Sequence, residues 1–497
     1  MSRTTELGTE PVHKLLWKYA LPAIIAMTAT SLYNIVDSIY IGHGCGALAL
    51  GALTVAKPFM DICAAFGSLV GVGASSLLAI YLGERDYDRA NRVLGNVIVM
   101  NVVLSAVVMI VGLIWLDPIL LSFGASEDTL LYAHEYMEII LYGNILTHIY
   151  FGLNAMLRSA GHPRFSMAAT IVAVGVNIIL DPIFIFGLDM GVRGAALATV
   201  ISQAVAVVWQ ITKFLDKNEL VRFHRGIWRL NRHITTRALA IGMSPFLYNI
   251  AHCFVVIIIN NQLKRFGGDM AIASFGVINR LTFVFAMMVM GLNQGMQPIA
   301  GYNYGAKHYD RMLKSFYLTS LYATIVMGIV FFLGECFPET VTKMFTHDPL
   351  LIDLTVRPMR IICSTMLIIG FQMVTGNLFT SIGKAGKAIF LSLTRQVLYL
   401  IPLTLLLPLV FNDPLDGVWW SIPLSDTLSA LPPSSSSFPP AANYTWSSSW
   451  EIPSISSLHC LRSAVASDAK RLYSSMLSAS ADSNCAIIAS ARLIFSS

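Results

Sequence analysis

The chain has 497 residues, 55% of them hydrophobic and only 12% charged, where a soluble globular domain carries about 25% charged residues; mean hydropathy of +0.66 and recurrent apolar stretches of about 20 residues exclude a soluble protein with one anchor. The net charge of +5 reads as loop charge that sets membrane topology, not as a nucleic-acid footprint. The seven cysteines, at 45, 63, 253, 336, 363, 460 and 485, form no CxxC pair, so neither a zinc site nor a disulfide framework is indicated.

In chain order, spans are expected at about 15–40, 50–82, 94–116, 130–157, 165–188, 194–215, 238–263, 271–302, 316–337, 357–382 and 388–411. The first run is too long for a cleavable signal, contains Asp37 and lacks a small-residue cleavage site. Asp37 lies deep in span 1, within SLYNIVDSIYIG. Span 2 carries Lys57 and Asp61, an i,i+4 pair able to neutralise itself. Span 4 carries Asn154 near its end, and span 5 contains Asn177 and Asp181 within VNIILDPIFIFG. Four residues apart, Asn177 and Asp181 project from one helix face. Pro182 withholds a backbone hydrogen bond and is expected to kink span 5 there. Thr199 sits one turn into span 6, and span 8 carries Arg280, Asn293 and Gln294 beside a Met- and Phe-rich stretch.

Basic residues segregate: 21 Lys and Arg fall at the N-terminus and in every second loop, against at most six in the intervening loops. The positive-inside rule then puts the N-terminus and the long 216–237 loop in the cytoplasm. That loop is read as a linker lying on anionic headgroups. A repeat runs at one offset of 222 residues. Gly83-x-x-x-Tyr87-Asp88-Arg89 recurs as Gly305-x-x-x-Tyr309-Asp310-Arg311, Ser159-x-Gly161 as Ser381-x-Gly383, and Gly73 as Gly295. Six spans separate the copies, so both halves enter the membrane from the same side, as parallel repeats about an axis near the membrane normal. The fold class is therefore all-α and polytopic, with an N-lobe at 1–215, a linker at 216–237, a C-lobe at 238–430 and a Ser/Pro-rich tail at 431–497. The partner of span 6 should lie near 420–441, but Pro432, Pro433, Pro439 and Pro440 cannot lie within a regular helix. The expectation is a disrupted twelfth helix and a tail foreign to the fold, for example a shifted reading frame after about Ala430.

Ionisable groups inside spans mark function by default. Asp37, Asn177, Asp181 and Thr199 offer the hard oxygens a small cation prefers, and the two carboxylates could also exchange a proton. A substrate cavity is expected from Lys57, Asp61, Asn154, Arg280, Asn293 and Gln294. No P-loop, zincin helix or nucleophile elbow stands at a credible position. The chain is therefore read as no enzyme, without a cofactor, and powered by an ion or substrate gradient.

The stretches LNAMLRSAGHPRFSM at 153–167, GVNIILDPIFIFG at 175–187, INRLTFVF at 278–285 and GLNQGMQPIAGYNYGAKHYDRM at 291–312 resemble the multidrug and toxic compound extrusion (MATE) family, in particular its DinF-like bacterial branch. The resemblance covers roughly 10–430. It implies twelve helices in two six-helix lobes around a cleft, in a bacterial inner membrane. It also implies Na⁺- or H⁺-driven export of small organic, cationic substrates. The family's N-lobe cation site falls on Asp37, Asn177, Asp181 and Thr199, while its C-lobe carboxylates of spans 7 and 10 have no clear match. A monomer with no nucleic-acid partner is expected. The rivals are a lipid-linked saccharide flippase, which needs a strongly cationic cleft, and a membrane protein without transport, a scaffold or inactive remnant.

Overall fold

A computed structural model describes residues 6–224 and 226–430; the Ser/Pro-rich tail on which the frame-shift expectation falls lies outside them. Among the described residues there is no strand. After a one-turn helix, Glu6–Thr9, come α1 (Val12–Gly46), α2 (Leu48–Gly83), α3 (Tyr87–Ile114), α4 (Glu127–Ser159), α5 (Pro163–Gly187) and α6 (Gly191–Leu215). One continuous helix, Arg232–Gly305, follows. At 1.5 Å per residue its 74 residues would reach about 110 Å, several times the hydrocarbon thickness of roughly 30 Å. It breaks at Gly268, with φ of 65°, into α7 (232–267) and α8 (269–305). Then come α9 (Tyr309–Cys336), the bent pair Pro349–Cys363 and Met366–Ser381 with a 48° break, taken together as α10, and α11 (Ala385–Leu409). These elements match the eleven expected spans. An additional helix, α12 (Pro414–Ala430), occupies the start of the window where a regular helix was not expected. Pro423 lies inside it.

Side-chain caps start several helices. Asp86 accepts from the Arg89 N–H at 3.0 Å, and Ser126 and Thr129 form a reciprocal capping box. The 222-residue spacing reappears in the backbone: Gly46 and Gly268, Arg85 and Lys307, and Gly161 and Gly383 all have positive φ. The first two break long helices, and Arg85 and Lys307 each stand two residues past one.

The described residues form two compact units. The first holds residues up to Cys253 with Phe283–Val326 and Met373–Leu393; the second holds Phe254–Thr282, Met327–Gln372 and residues from Thr394 on. This differs from the lobes read from sequence, which were divided at 216–237. The reason lies in backbone-close glycine contacts of the first unit. A Cβ on Gly83 would fall 2.0 Å from the Tyr302 carbonyl oxygen, and one on Gly305 would fall 2.1 Å from that of Ile80. Gly73 packs on Ala238 and Gly242 of α7, and its repeat mate Gly295 packs on Ala20 of α1, the residue 222 positions before Gly242. Contacts that exchange partners at one offset are self-complementary, as a two-fold relation requires.

The 216–237 linker docks on α3. Asn91 donates to the Leu220 carbonyl at 3.0 Å and accepts from the Arg222 N–H at 2.8 Å. Asn96 likewise donates to the Arg229 carbonyl and accepts from the Asn231 N–H. Glu219 joins His162, at 2.8 Å, to Lys213, at 2.5 Å. Partial burial works to raise the Glu219 pKa, but its bonds to Lys213 and His162 outweigh this and hold it below the usual value.

In the second unit a buried charge fixes α12. Asp426 is fully buried; it accepts from Arg395 Nε at 2.6 Å and from Thr365 Oγ1 at 3.0 Å, and its carbonyl accepts from Gln372 at 2.8 Å. Arg395 lies on the π-helical stretch Thr394–Leu400 of α11.

Candidate cation site and adjoining cavity

The first unit packs α1, α2, α4, α5 and α6 around a core that includes Ile41, Ala52, Phe59, Met137, Leu141 and Ala195. Four expected polar residues meet within this unit. Asp37 of α1 is 6% exposed, Asn177 1% and Thr199 6%, while Asp181 is fully buried. The i,i+4 spacing delivers the Asn177 amide to Asp181, and with both ends of the amide satisfied Nδ2 donates to Oδ2 at 2.9 Å while Oδ1 accepts from the Thr199 N–H at 3.3 Å. Immediately after Pro182 the helix widens into a π-turn, Ile183–Gly187, closed by the Leu188 N–H on the Ile183 carbonyl at 2.9 Å. The kink expected at Pro182 is thus a local change of helix type.

Asp37 is different. Its Oδ1 is buried and has no hydrogen-bond partner among the described residues. An ionised carboxylate in that position is costly unless a cation or proton accompanies it. Asp37 and Asp181 lie within electrostatic reach of each other. Two tyrosines complete the surround and were not singled out from sequence. Tyr33 places its hydroxyl 3.3 Å from Thr199 Oγ1, and its position one turn before Asp37 could have signalled it. Tyr136, on α4, is 1% exposed and lies within electrostatic reach of Asp37, Asp181 and Tyr33; between Glu135 and Glu138 near the start of its helix, it does not stand out in the sequence. The oxygens of these groups suit a small hard cation or a shared proton.

A cavity of about 410 Å³ opens beside the site, with Tyr33, Asn177 and Thr199 in its wall. That is the volume of a drug-sized pocket. Of the residues expected in a substrate cavity, Lys57, Asp61, Asn154 and Gln294 line this one. Lys57 and Asp61 pair at 2.7 Å, each about half exposed. Arg280 and Asn293 are not in the wall: Arg280 is an exposed residue of the second unit, and Asn293 donates to the Met373 carbonyl at 3.4 Å, joining α8 to α10. Arg158, counted from sequence only as a topological charge, does line the cavity.

A model of the MatE family matches residues 22–183 and again 242–406. The chain belongs to the MatE family. The multidrug export protein MepA of Staphylococcus aureus is 27% identical over 424 residues, covering 85% of this chain and 92% of MepA. A solved structure of the MATE multidrug transporter DinF-BH is 38% identical, with a TM-score of 0.78 over 85% of this chain and 94% of DinF-BH. A MATE crystal structure in a bent conformation is 25% identical, with a TM-score of 0.81 over 86% of this chain and 95% of that one. The double match gives this MatE protein two copies of one sequence pattern, and its helices make it a multi-pass membrane protein.

Proposed function

We propose that the protein exports small organic, drug-like molecules in exchange for Na⁺ or H⁺, by alternating access, from the cytoplasm of a bacterium across its inner membrane. The observation that carries this reading is the shared wall. Tyr33, Asn177 and Thr199 surround the Asp37–Asp181 site and also line the cavity. A cation arriving at Asp37 and Asp181 would recruit the same groups and reshape the drug surface. Drug and cation then disfavour each other through one coupling free energy, which is reciprocal. Moving one charge across 100 mV supplies about 2.3 kcal/mol, enough to shift a drug equilibrium roughly fiftyfold. The duplicated helix breaks and exchanged glycine contacts support two repeats of six helices able to rock about the site. The segregated Lys and Arg support a cytoplasmic N-terminus. The site needs residues of one chain only, which supports a working monomer. Export of drug-like molecules is consistent with MepA, named as a multidrug export protein, and DinF-BH, named as a multidrug transporter.

The test is dye efflux from vesicles containing the purified protein. Export should follow an imposed inward Na⁺ or H⁺ gradient and stop when that gradient is collapsed. Export unaffected by either gradient would remove the coupling, and no export under any gradient would favour a flippase or a protein without transport.

A further inference from the structure

The cavity wall holds three charged side chains, Lys57, Asp61 and Arg158. Lys57 and Asp61 neutralise each other at 2.7 Å. The remaining positive charge belongs to Arg158, in the last turn of α4. Its Nη1 donates to Asn154 Oδ1 and to Ser166 Oγ, the latter at 3.4 Å. Neither partner is a carboxylate, and among the described residues Arg158 makes no ion pair. The two acceptors are themselves held in place. Ser166 donates to Asn154 Oδ1, Asn154 Nδ2 donates to Thr170 Oγ1 at 3.1 Å, and the Tyr150 hydroxyl donates to the same oxygen at 3.0 Å. This network fixes one edge of the guanidinium. The Nε and Nη2 donors have no partner among the described residues.

A helix C-terminus favours a positive side chain, which accounts for a basic residue in the last turn of α4. It does not account for a fixed guanidinium in a cavity wall with one edge of donors unused. A planar fork of that kind matches the two oxygens of a carboxylate. The other pole of the same cavity is formed by Tyr33, Asn177 and Thr199, around Asp37 and Asp181. Along α5, Ser166 and Asn177 are eleven residues apart, about 16 Å at 1.5 Å per residue. The cavity is therefore bipolar, with carboxylates behind one end and a guanidinium at the other.

We propose that Arg158 is an anion-binding pole of the cavity and receives the carboxylate of a zwitterionic organic substrate, whose cationic part lies toward the Asp37–Asp181 end. This rests on reading the cavity as the drug site, and it replaces a purely cationic substrate with one that carries both charges.

Rhodamine B, which has a free carboxylate, and its ethyl ester, in which that charge is replaced by a neutral ester, separate the possibilities. Binding of each to the purified full-length chain is read by fluorescence anisotropy. The Arg158→Gln variant should weaken rhodamine B binding by about 10- to 100-fold, the value of a lost charged hydrogen bond. It should change ester binding by less than about twofold, and Arg158→Lys should recover part of the loss. Equal losses for both dyes would make Arg158 a structural residue and overturn the proposal, as would no loss for either. Sulfate that displaces the ester as well as rhodamine B would also overturn it. If neither dye binds the unmodified chain, the cavity is not the drug site and the proposal falls with that reading.

Discussion

Replacing Gly305 and Gly175 by alanine should move stability in opposite directions. At Gly305 the new Cβ would meet the Ile80 carbonyl oxygen at 2.1 Å and its carbon at 2.9 Å. Ordinary contact begins near 3.4 Å, so α2 and α8 must separate by more than about 1 Å, and neither backbone can rotate away as a side chain could. Overpacking of this kind costs about 1–3 kcal/mol. Alanine recovers about 0.5–1 kcal/mol of the conformational entropy that glycine costs a helix. A net loss of about 1–2 kcal/mol remains. At Gly175, in α5, a Cβ meets nothing within 4 Å, so only the gain of about 0.5–1 kcal/mol applies. Unfolding by SDS in mixed micelles, followed by circular dichroism, measures both. Gly83→Ala should resemble Gly305→Ala, because its Cβ meets the Tyr302 oxygen at 2.0 Å, and the double variant should lose less than the sum because the two share one contact. Equal stabilisation by Gly305→Ala and Gly175→Ala would refute the close-packing account of the first unit.

Further outcomes follow from the buried charges and the docked linker. Arg395→Met should destabilise by about 3–5 kcal/mol by leaving Asp426 without its guanidinium, whereas Arg395→Met combined with Asp426→Leu should recover most of that loss in the same SDS titration. Glu219→Gln should speed protease cleavage within 216–231, because it weakens the bonds to Lys213 and His162 that hold the linker. With the folded-state pKa of Glu219 held below its ordinary value, its contribution is complete above that ordinary value and is lost as pH falls through the folded one. Cleavage of the unmodified chain by an acid-active protease should therefore rise on acidification, and cleavage of Glu219→Gln should change less.

Much of the candidate site was legible because membrane physics makes charge conspicuous. Asp37 and Asp181 stand out as carboxylates in apolar spans, and the four-residue spacing alone joined Asn177 to Asp181. Tyr33 was hidden because a tyrosine in an apolar helix looks like packing until its hydroxyl finds a partner, and Tyr136 because the charged residues beside it, Glu135 and Glu138, make its stretch of α4 read as a polar helix start. Arg158 was hidden by its place at a helix end, where topology already explained a positive charge. The 222-residue repeat exposed Gly73, Gly83, Gly295 and Gly305 as equivalent, but not the exchange of backbone contacts that unites them in one compact unit. α12 was passed over because Pro432, Pro433, Pro439 and Pro440 crowd the second half of the expected window, whereas the helix ends before them, at Ala430. Burial of Trp419 and the Asp426–Arg395 pair hold it, and a sequence pattern contains neither. The same oversight concealed Asp426.

If a cation at Asp37 drives export through the cavity, dye export from vesicles under an imposed Na⁺ or H⁺ gradient must depend on that carboxylate. At matched amounts of folded protein, Asp37→Asn should still bind dye but lose gradient-driven export. Export by Asp37→Asn at the unmodified rate would show that Asp37 does not couple the gradient to transport.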